Sequence, residues 1–141
     1  DIRVDPLDLE SPQYEIFNRY FTVLNKCYQD YCDQWNFLNT FISKIHIGSF
    51  NLQKYLPGEH FSGIHAERTS LTHLHRILVW MTYLNDIEDS GETEFPHYDL
   101  KVEPRTGLTL IWPAEWTHAH RGNPTLVHDK FIITGWFHLA E

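Results

Sequence analysis

The stretch KFIITGWFHL, residues 130–139, is an apolar run with the composition of a buried β-strand. Side chains alternate along a strand, so every second residue of this run shares one face. These residues are Lys130, Ile132, Thr134, Trp136 and His138. A lysine on such a face is unusual, because a buried ammonium is destabilising unless an anion pairs with it. Either the strand contributes Lys130 to an interior site that binds a carboxylate, or it is an edge strand whose lysine reaches solvent.

The chain after residue 40 has the pattern of short strands separated by turns. Residues 41–55 alternate and contain a Gly-Ser break, which predicts two strands, and HRILVWMTYLN is broad enough to be buried on both faces. The polar loop DIEDSGETEFPHYD ends in a short strand, and DLKVEP and LTLIWP are further strands bounded by Gly and Pro. We predict a mainly β fold, a sandwich or barrel, with helical support.

The helical support comes from the region before these strands. Ser11 can cap the start of a helix, and Pro12 suits its first turn. Apolar residues then recur at helical spacing, which predicts one long amphipathic helix, or two, over about residues 12–40. They are Tyr14, Phe17, Tyr20, Phe21, Leu24, Tyr28 and Tyr31. We expect residues 1–141 to form a single domain, with residues 41–141 as the β-core that carries the site.

The composition is that of a folded, acidic domain. Of the 141 residues, 42% are hydrophobic and 15% are aromatic, and the formal net charge is -8. Because an acidic surface repels phosphate backbones, we expect no nucleic-acid partner. No apolar run is long enough to span a membrane and no signal peptide is visible, so we expect no membrane partner and a cytoplasmic location. On the predicted helix, Cys27 and Cys32 diverge too far around the axis to form a disulfide.

His65 and Glu67 are candidate metal ligands separated by one residue. On a strand, their side chains point to the same face and lie about 7 Å apart along the chain. A third ligand has to come from elsewhere in the chain. The candidates are His118 and His120 in THAHRGNP, and His73 and His75 in THLHR. Two imidazoles and one carboxylate on one side of a metal leave the other positions open, which suits non-haem Fe(II). An isolated His-x-Glu pair, however, is more typical of surface or satisfied polar residues.

Several short motifs follow one another in a fixed order. YLPG at Tyr55 precedes the His-x-Glu pair, and RILVWMTYLND, SGETEF and VEPRTGLTLIWP come next. HRGNP then begins at His120, with Lys130 ten residues after this histidine. In this order the motifs resemble the Fe(II)- and 2-oxoglutarate-dependent dioxygenases, in particular the prolyl 4-hydroxylase-like branch seen in bacteria and phages. The resemblance covers about residues 54–138 and implies a double-stranded β-helix core, of jelly-roll or cupin-like type, with supporting N-terminal helices.

The resemblance implies that His65, Glu67 and His120 are catalytic metal ligands. It favours His120 over His118, because the Gly, Pro and Lys of the last motif stand two, four and ten residues after His120. The family usually has Asp where Glu67 stands. Glutamate is one methylene longer and can still ligate Fe(II). Its presence argues against the halogenating relatives, in which a small residue replaces the carboxylate.

The resemblance also implies residues that bind 2-oxoglutarate. Lys130 takes the position that pairs with the distal carboxylate, and Tyr55 and Tyr83 match aromatic positions that border the co-substrate pocket. Thr134 is a further hydrogen-bond donor to this pocket by strand geometry alone. Ser90 stands where the family has the first Gly of its Gly-Gly-Glu-Thr motif, a mild change in a turn.

The implied activity is hydroxylation of a C–H bond with O2, during which 2-oxoglutarate becomes succinate and CO2; ascorbate is an optional addition. Trp112 and Trp136 are expected to form an apolar wall that excludes water. A prolyl residue of a peptide or protein is the leading substrate, and a free amino acid or small metabolite is the alternative. DIEDSGE and EWTHAHR are expected to border the substrate groove, with Arg68 or Arg121 as a local positive charge.

A different class of protein also fits the histidines. A cupin-like module could hold Zn²⁺ or Ni²⁺ through HLHR and HAHR without redox chemistry, or the barrel could be a non-catalytic binding domain. Nothing in the sequence indicates an oligomeric state.

Overall fold

The computed structural model describes residues 1–42, 44–88 and 90–140. These residues form antiparallel strands and two α-helices, joined by turns and short 3-10 helices. The strands are β1 Ile2–Val4, β2 Ile45–Ile47, β3 Phe50–Tyr55, β4 Arg76–Tyr83, β5 Thr93–Phe95, β6 Leu100–Val102, β7 Thr109–Pro113, β8 Arg121–Gly122 and β9 Lys130–Leu139. The helices are α1 Glu15–Gln34 and α2 Leu38–Phe41.

The larger sheet is built around β9. Its strand order is β1-β3-β9-β4-β7, and β2 also pairs with β9. Lys130, at the start of β9, pairs with Tyr55 of β3 and is only 3% exposed. The alternative of an edge strand with a solvent-exposed lysine is therefore wrong, because β9 has hydrogen-bonded neighbours on both sides.

The smaller sheet consists of β5, β6 and β8, in the order β6-β5-β8. It faces the larger sheet across an apolar cluster that contains Val79, Met81 and Tyr83 of β4. The alternate residues of β4, Leu78 and Trp80, belong to a second cluster on the opposite face of the larger sheet. As predicted from HRILVWMTYLN, β4 is buried on both faces.

Helix α1 covers that opposite face. Leu24 is part of the second cluster, and the other predicted apolar positions of the helix pack against it. The two-helix form of the prediction is confirmed, because Trp35, with φ -111° and ψ 63°, separates α1 from α2. Residues 12–14 form a 3-10 turn, so the first helix begins three residues later than predicted. Ser11 precedes the 3-10 turn without a side-chain capping bond, so its predicted capping role is wrong.

Other local predictions agree with the structure. Residues 41–55 contain two strands, as predicted. The polar loop contains the short strand β5, but a 3-10 helix at Pro96–Tyr98 and not the strand forms its end. Strand β1, which pairs with β3 at the edge of the larger sheet, is not indicated by the sequence pattern. Cys27 and Cys32 are both free thiols. Within the described ranges, no helix combines the length and apolar character that a membrane span requires.

Gly135 allows close packing between the central strand and the core. A Cβ atom at this position would lie 2.9 Å from Cε2 of Trp80 and 3.0 Å from Cβ of Phe50. We expect Gly135→Ala to lower the free energy of unfolding by about 1–3 kcal/mol, the usual range for overpacking a core. The urea unfolding midpoint measures this loss. Gly63→Ala is the matched control, since nothing lies within 4 Å of its added Cβ, and an equal loss in both variants would contradict the packing argument.

Candidate metal centre

A cavity of about 270 Å³ lies between the two sheets. Strands β3, β4, β7 and β9 of the larger sheet line it, and so do residues of β5 and β8. Most of the residues singled out from the sequence face this one space. They are Tyr55, His65, Glu67, Tyr83, His120, Lys130 and Thr134.

Reciprocal backbone hydrogen bonds bring His65 and His120 together. The amide of His65 donates to the carbonyl of His120 at 3.0 Å, and the amide of His120 donates to the carbonyl of His65 at 2.9 Å. The predicted regular strand over His65 and Glu67 is absent, because His65 forms only an isolated bridge. The amide of Glu67 instead donates to the carbonyl of Ala114, which follows β7. Residues 65 and 67 are thus held by different parts of the barrel.

Each imidazole is oriented by the backbone carbonyl of the residue two positions before it. Nδ1 of His65 lies 2.9 Å from the carbonyl oxygen of Gly63, and Nδ1 of His120 lies 3.0 Å from that of His118. Because a carbonyl only accepts, each Nδ1 carries the proton, and in the neutral ring each Nε2 has a free lone pair. This is the arrangement of a histidine whose Nε2 is available to a metal.

Glu67 completes a cluster with the two imidazoles. Its Oε1 lies 3.4 Å from Nε2 of His65 and 3.5 Å from Nε2 of His120, and the three potential ligand atoms lie within 4.8 Å of one another. Although burial raises the pKa of Glu67, His120 and His65 in their protonated forms donate to its carboxylate, which outweighs burial and holds the pKa well below its usual range. The carboxylate is therefore ionised and available as a ligand.

This cluster is the one group of three or more potential ligands in the residues that the structure describes. His118 lies outside it and packs on the ring of Tyr98. His73 contacts the hydroxyl of Ser70, and His75 stacks on His138. Of the histidine pairs considered as a source of the third ligand, the structure brings only His120 to the site. Two nitrogens and one carboxylate oxygen from one side fit a divalent metal with open positions, such as Fe(II).

Lys130 gives the cavity a buried positive charge. Its Nζ donates to the carbonyl oxygens of Gly91 at 3.1 Å and Asn123 at 3.2 Å, and it forms no ion pair with any described carboxylate. Burial lowers the pKa of Lys130 to about 8, and the more distant Glu92 offsets this only in part. A buried ammonium held by neutral groups alone fits an anionic ligand, which would supply the missing charge.

The loop that holds this lysine depends on Gly91. Its φ of +73° suits glycine, and an added Cβ would lie 2.8 Å from Cγ2 of Thr125. Ser90 precedes it, and the hydroxyl of Ser90 accepts a hydrogen bond from the amide of Leu126 at 3.3 Å. Serine is therefore accommodated where the family motif has its first glycine.

The remaining predicted co-substrate residues have different environments. The ring of Tyr55 lies 5.2 Å from Nζ of Lys130. Burial raises the pKa of Tyr83 to about 12. The hydroxyl of Tyr83 lies 2.6 Å from the hydroxyl of Thr93. Thr134 donates its hydroxyl proton to the carbonyl of Trp80 at 3.0 Å. Alternation along the strand predicts that Thr134 donates into the cavity, but its hydroxyl proton is already used in this bond.

Two hydrogen-bond partners of Glu67 are not predicted by the sequence. Nε1 of Trp136, expected only as apolar wall, donates to Oε2 of Glu67 at 2.9 Å, and Arg76 donates to the same oxygen at 3.3 Å. Trp112 is a wall residue as expected, and its ring packs edge-on against His120 at 4.9 Å. Strand alternation could have indicated the position of Trp136, but no local pattern in the sequence places Arg76 beside Glu67.

The two arginines expected at the substrate groove are both neutralised. Arg68 pairs with Glu115, and Arg121 pairs with Glu94 at 2.8 Å. The segment DIEDSGE, also expected at the groove, includes Asp89, which lies outside the described residues.

The sequence is similar to those of known prolyl 4-hydroxylases. Prolyl 4-hydroxylase subunit alpha-2 of Gallus gallus is 26% identical over 92 residues, which cover 60% of this chain and 17% of that protein. Prolyl 4-hydroxylase 13 of Arabidopsis thaliana is 26% identical over 125 residues, which cover 70% of this chain and 46% of that protein. The chain therefore spans less than half the length of these relatives.

Solved structures share the fold. A Pseudomonas putida prolyl-4-hydroxylase has a TM-score of 0.70 at 19% identity, over 99% of this chain and 71% of that one. The viral collagen prolyl hydroxylase of Paramecium Bursaria Chlorella virus-1, in a 2OG complex, has a TM-score of 0.62 at 22% identity, over 77% of this chain and 70% of that one. These similarities confirm the predicted double-stranded β-helix with N-terminal helical support.

The sequence profile of one family covers the whole cavity. It matches residues 50–138, more than half of the 141 residues, and so includes the cluster of His65, Glu67 and His120 as well as Lys130. The profile is that of the 2OG-Fe(II) oxygenase superfamily. The chain belongs to the 2OG-Fe(II) oxygenase superfamily.

Proposed function

We propose that this chain is a single-domain Fe(II)- and 2-oxoglutarate-dependent oxygenase that hydroxylates a prolyl residue of a peptide or protein. In this proposal His65, Glu67 and His120 hold Fe(II), and Lys130 binds the distal carboxylate of 2-oxoglutarate. One observation carries it: a cluster of three metal-ligand atoms lines the same cavity as a buried lysine that has no carboxylate partner among the described residues.

The bound iron and 2-oxoglutarate, with O2, supply the oxidising chemistry that hydroxylates a C–H bond and yields succinate and CO2. The chain's own residues hold and shield these groups. The Nδ1–H donors of His65 and His120 fix both rings so that each Nε2 faces the cluster. The raised pKa of Tyr83 keeps its hydroxyl protonated, so no phenolate competes for the cation of Lys130.

The relatives and the charges around the site support a peptide substrate. The two curated relatives and the two solved structures described above are named as prolyl hydroxylases. A free amino acid needs a cation for its carboxylate, yet Arg68 and Arg121 are already paired with Glu115 and Glu94. A peptide bears no carboxylate at the reacting residue and needs no such partner.

The alternative of a redox-inactive Zn²⁺ or Ni²⁺ module has less support. The family match does not favour it. The histidines on which it depends, His73, His75 and His118, lie outside the cluster. Its buried lysine would also have no purpose, since a structural metal site needs no second anion.

Loss of the carboxylate should abolish turnover. We expect Glu67→Ala to reduce Fe(II)-dependent formation of succinate by at least about 100-fold, because a metal ligand contributes at least as much as the groups that orient it. His118→Ala is the matched control: it removes a nearby imidazole but keeps the backbone carbonyl that orients His120. Normal turnover in Glu67→Ala, with wild-type helical content by circular dichroism, would disprove the proposed ligand set.

Loss of the lysine should weaken co-substrate binding selectively. We expect Lys130→Met to raise the dissociation constant of 2-oxoglutarate by about 30-fold or more, because an uncompensated charge on the bound anion costs about 2 kcal/mol or more. Anaerobic calorimetry with Mn(II) as the metal measures it. Lys54→Met is the control, since Lys54 pairs with Asp129 at the surface and does not line the cavity.

The same lysine should make this binding depend on pH. Only the ammonium form pairs with the co-substrate, whose carboxylates stay ionised above neutral pH. Since the pKa of Lys130 is about 8, the charged fraction falls by about tenfold between pH 7 and pH 9, and affinity should fall with it. In Lys130→Met the affinity should not change over this range. A wild-type affinity independent of pH would exclude Lys130 as the anchor.

The substrate class is tested with matched peptides. Proline-containing peptides should stimulate succinate formation and gain one oxygen atom on the proline by mass spectrometry, while the same peptides with alanine for proline should not. Free proline is the third arm. If free proline is hydroxylated and the peptides are not, the enzyme class stands and the peptide substrate is wrong.

A further inference from the structure

The two carboxylate oxygens of Glu67 have different partners. Oε1 faces the imidazoles, whereas Oε2 accepts hydrogen bonds from Nε1 of Trp136 at 2.9 Å and from Arg76 at 3.3 Å. With Oε2 occupied by two donors, Oε1 is the oxygen that remains for a metal. The carboxylate is therefore presented through one oxygen in a fixed orientation.

The two donors also support each other. The guanidinium carbon of Arg76 lies 3.7 Å from the ring centroid of Trp136, so the arginine stacks on the indole while both reach the same carboxylate oxygen. Trp136 lies on β9, at the centre of the larger sheet, where its backbone is paired to Val79 of β4. The unit that holds Glu67 is thus built on the most constrained strands of the fold.

A break in strand register brings Arg76 to Glu67. By simple alternation Arg76 would share a face with Leu78, which packs beneath α1. The pairing of β4 with β9 shifts between Arg76 and Leu78, and Ile77 packs beneath α1 together with Leu78. The irregularity therefore turns Arg76 to the opposite face, on the side of Val79, which is a typical use of a β-bulge near a site.

We propose that Arg76 and Trp136 are positioning residues that make this metal centre specific for glutamate at position 67. This inference rests on the proposed function, because it assumes that Glu67 is a metal ligand. It assigns a physical reason to the glutamate that stands where the family usually has aspartate: the carboxylate must reach both the donor pair and the metal.

The length of the side chain is the decisive quantity. The backbone of Glu67 is fixed by its hydrogen bond to Ala114 at 3.1 Å. An aspartate there would withdraw the carboxylate by roughly one C–C bond, about 1.5 Å. The hydrogen bond of 2.9 Å to Trp136 would then exceed hydrogen-bonding distance unless the carboxylate left the imidazoles. Aspartate can satisfy the donors or the metal, but not both.

The test is a double-mutant cycle read by metal binding. Anaerobic titration with Co(II), followed by its visible absorption, gives the dissociation constant of the wild type, of Glu67→Asp, of Trp136→Phe and of the double variant. Trp136→Phe keeps a ring beneath Arg76 and removes the N–H donor. We expect each single variant to weaken Co(II) binding by about 10- to 100-fold, the usual effect of losing a group that orients a ligand. In the Glu67→Asp background, Trp136→Phe should have less than about a twofold further effect.

Trp80→Phe is the matched control. Its indole is buried on the far side of the larger sheet, and its Nε1 has no partner among the described residues. It should leave Co(II) affinity within about twofold of the wild type, which separates loss of the donor from general loosening of the barrel.

The outcomes separate this inference from the proposed function. If Glu67→Asp binds Co(II) as tightly as the wild type, or if the two substitutions are additive, Trp136 does not position the carboxylate through the length of Glu67, and the inference is overturned while the metal centre stands. If the folded wild type binds no Co(II), both the metal centre and the inference are overturned.

Discussion

A carboxylate and an ammonium are buried in one cavity without contacting each other, and the rest of the molecule is arranged to tolerate this. Burying unpaired charge is destabilising, so each group needs compensation from fixed neighbours. Glu67 has it in full, from two imidazoles, an indole N–H and a guanidinium. Among the described residues Lys130 has only two backbone carbonyls as hydrogen-bond acceptors, and burial lowers its pKa to about 8. The imbalance leaves one uncompensated cation, and a dianionic ligand that also reaches the cluster would remove it.

The two faces of the larger sheet divide stability from chemistry. On one face, Leu78, Trp80 and Phe137 pack against the aromatic side of α1. That face is mainly apolar, with the hydroxyls of Tyr20 and Thr82 hydrogen-bonded to each other at 2.8 Å. The other face of the same strands carries polar and charged groups towards the cavity. Strands β4 and β9 can accommodate these groups because the apolar cluster beneath α1 and the cluster between the two sheets both fix their backbones.

Local patterns predicted what lies on each strand but not how the strands associate. Alternation in residues 130–139 put Lys130 on one face with Trp136, and both line the cavity. Whether that face was interior depended on β9 being central, which is decided by pairing with distant strands. The spacing of His65 and Glu67 suggested a shared strand, and their convergence instead results from a bridge to His120 and a bond to Ala114. Ordered motifs brought the right residues together because they reflect a whole fold, whereas periodicity reflects only a segment.

The facing direction of Arg76 could not be predicted from the sequence, and the reason is physical. Periodicity predicts a facing direction only while the strand keeps its register, and β4 loses register at Ile77, directly beside this arginine. A bulge forfeits ladder hydrogen bonds, so a fold gains from one only where it improves packing or re-aims a side chain. Here it does both, since Ile77 adds to the cluster beneath α1 while Arg76 reaches the oxygen of Glu67 that faces away from the imidazoles. Arg76 and Ile77 thus link packing on the helix side of the sheet to the orientation of Glu67. A regular strand of the same composition would place Arg76 on the helix side with Leu78 and leave Glu67 without this donor.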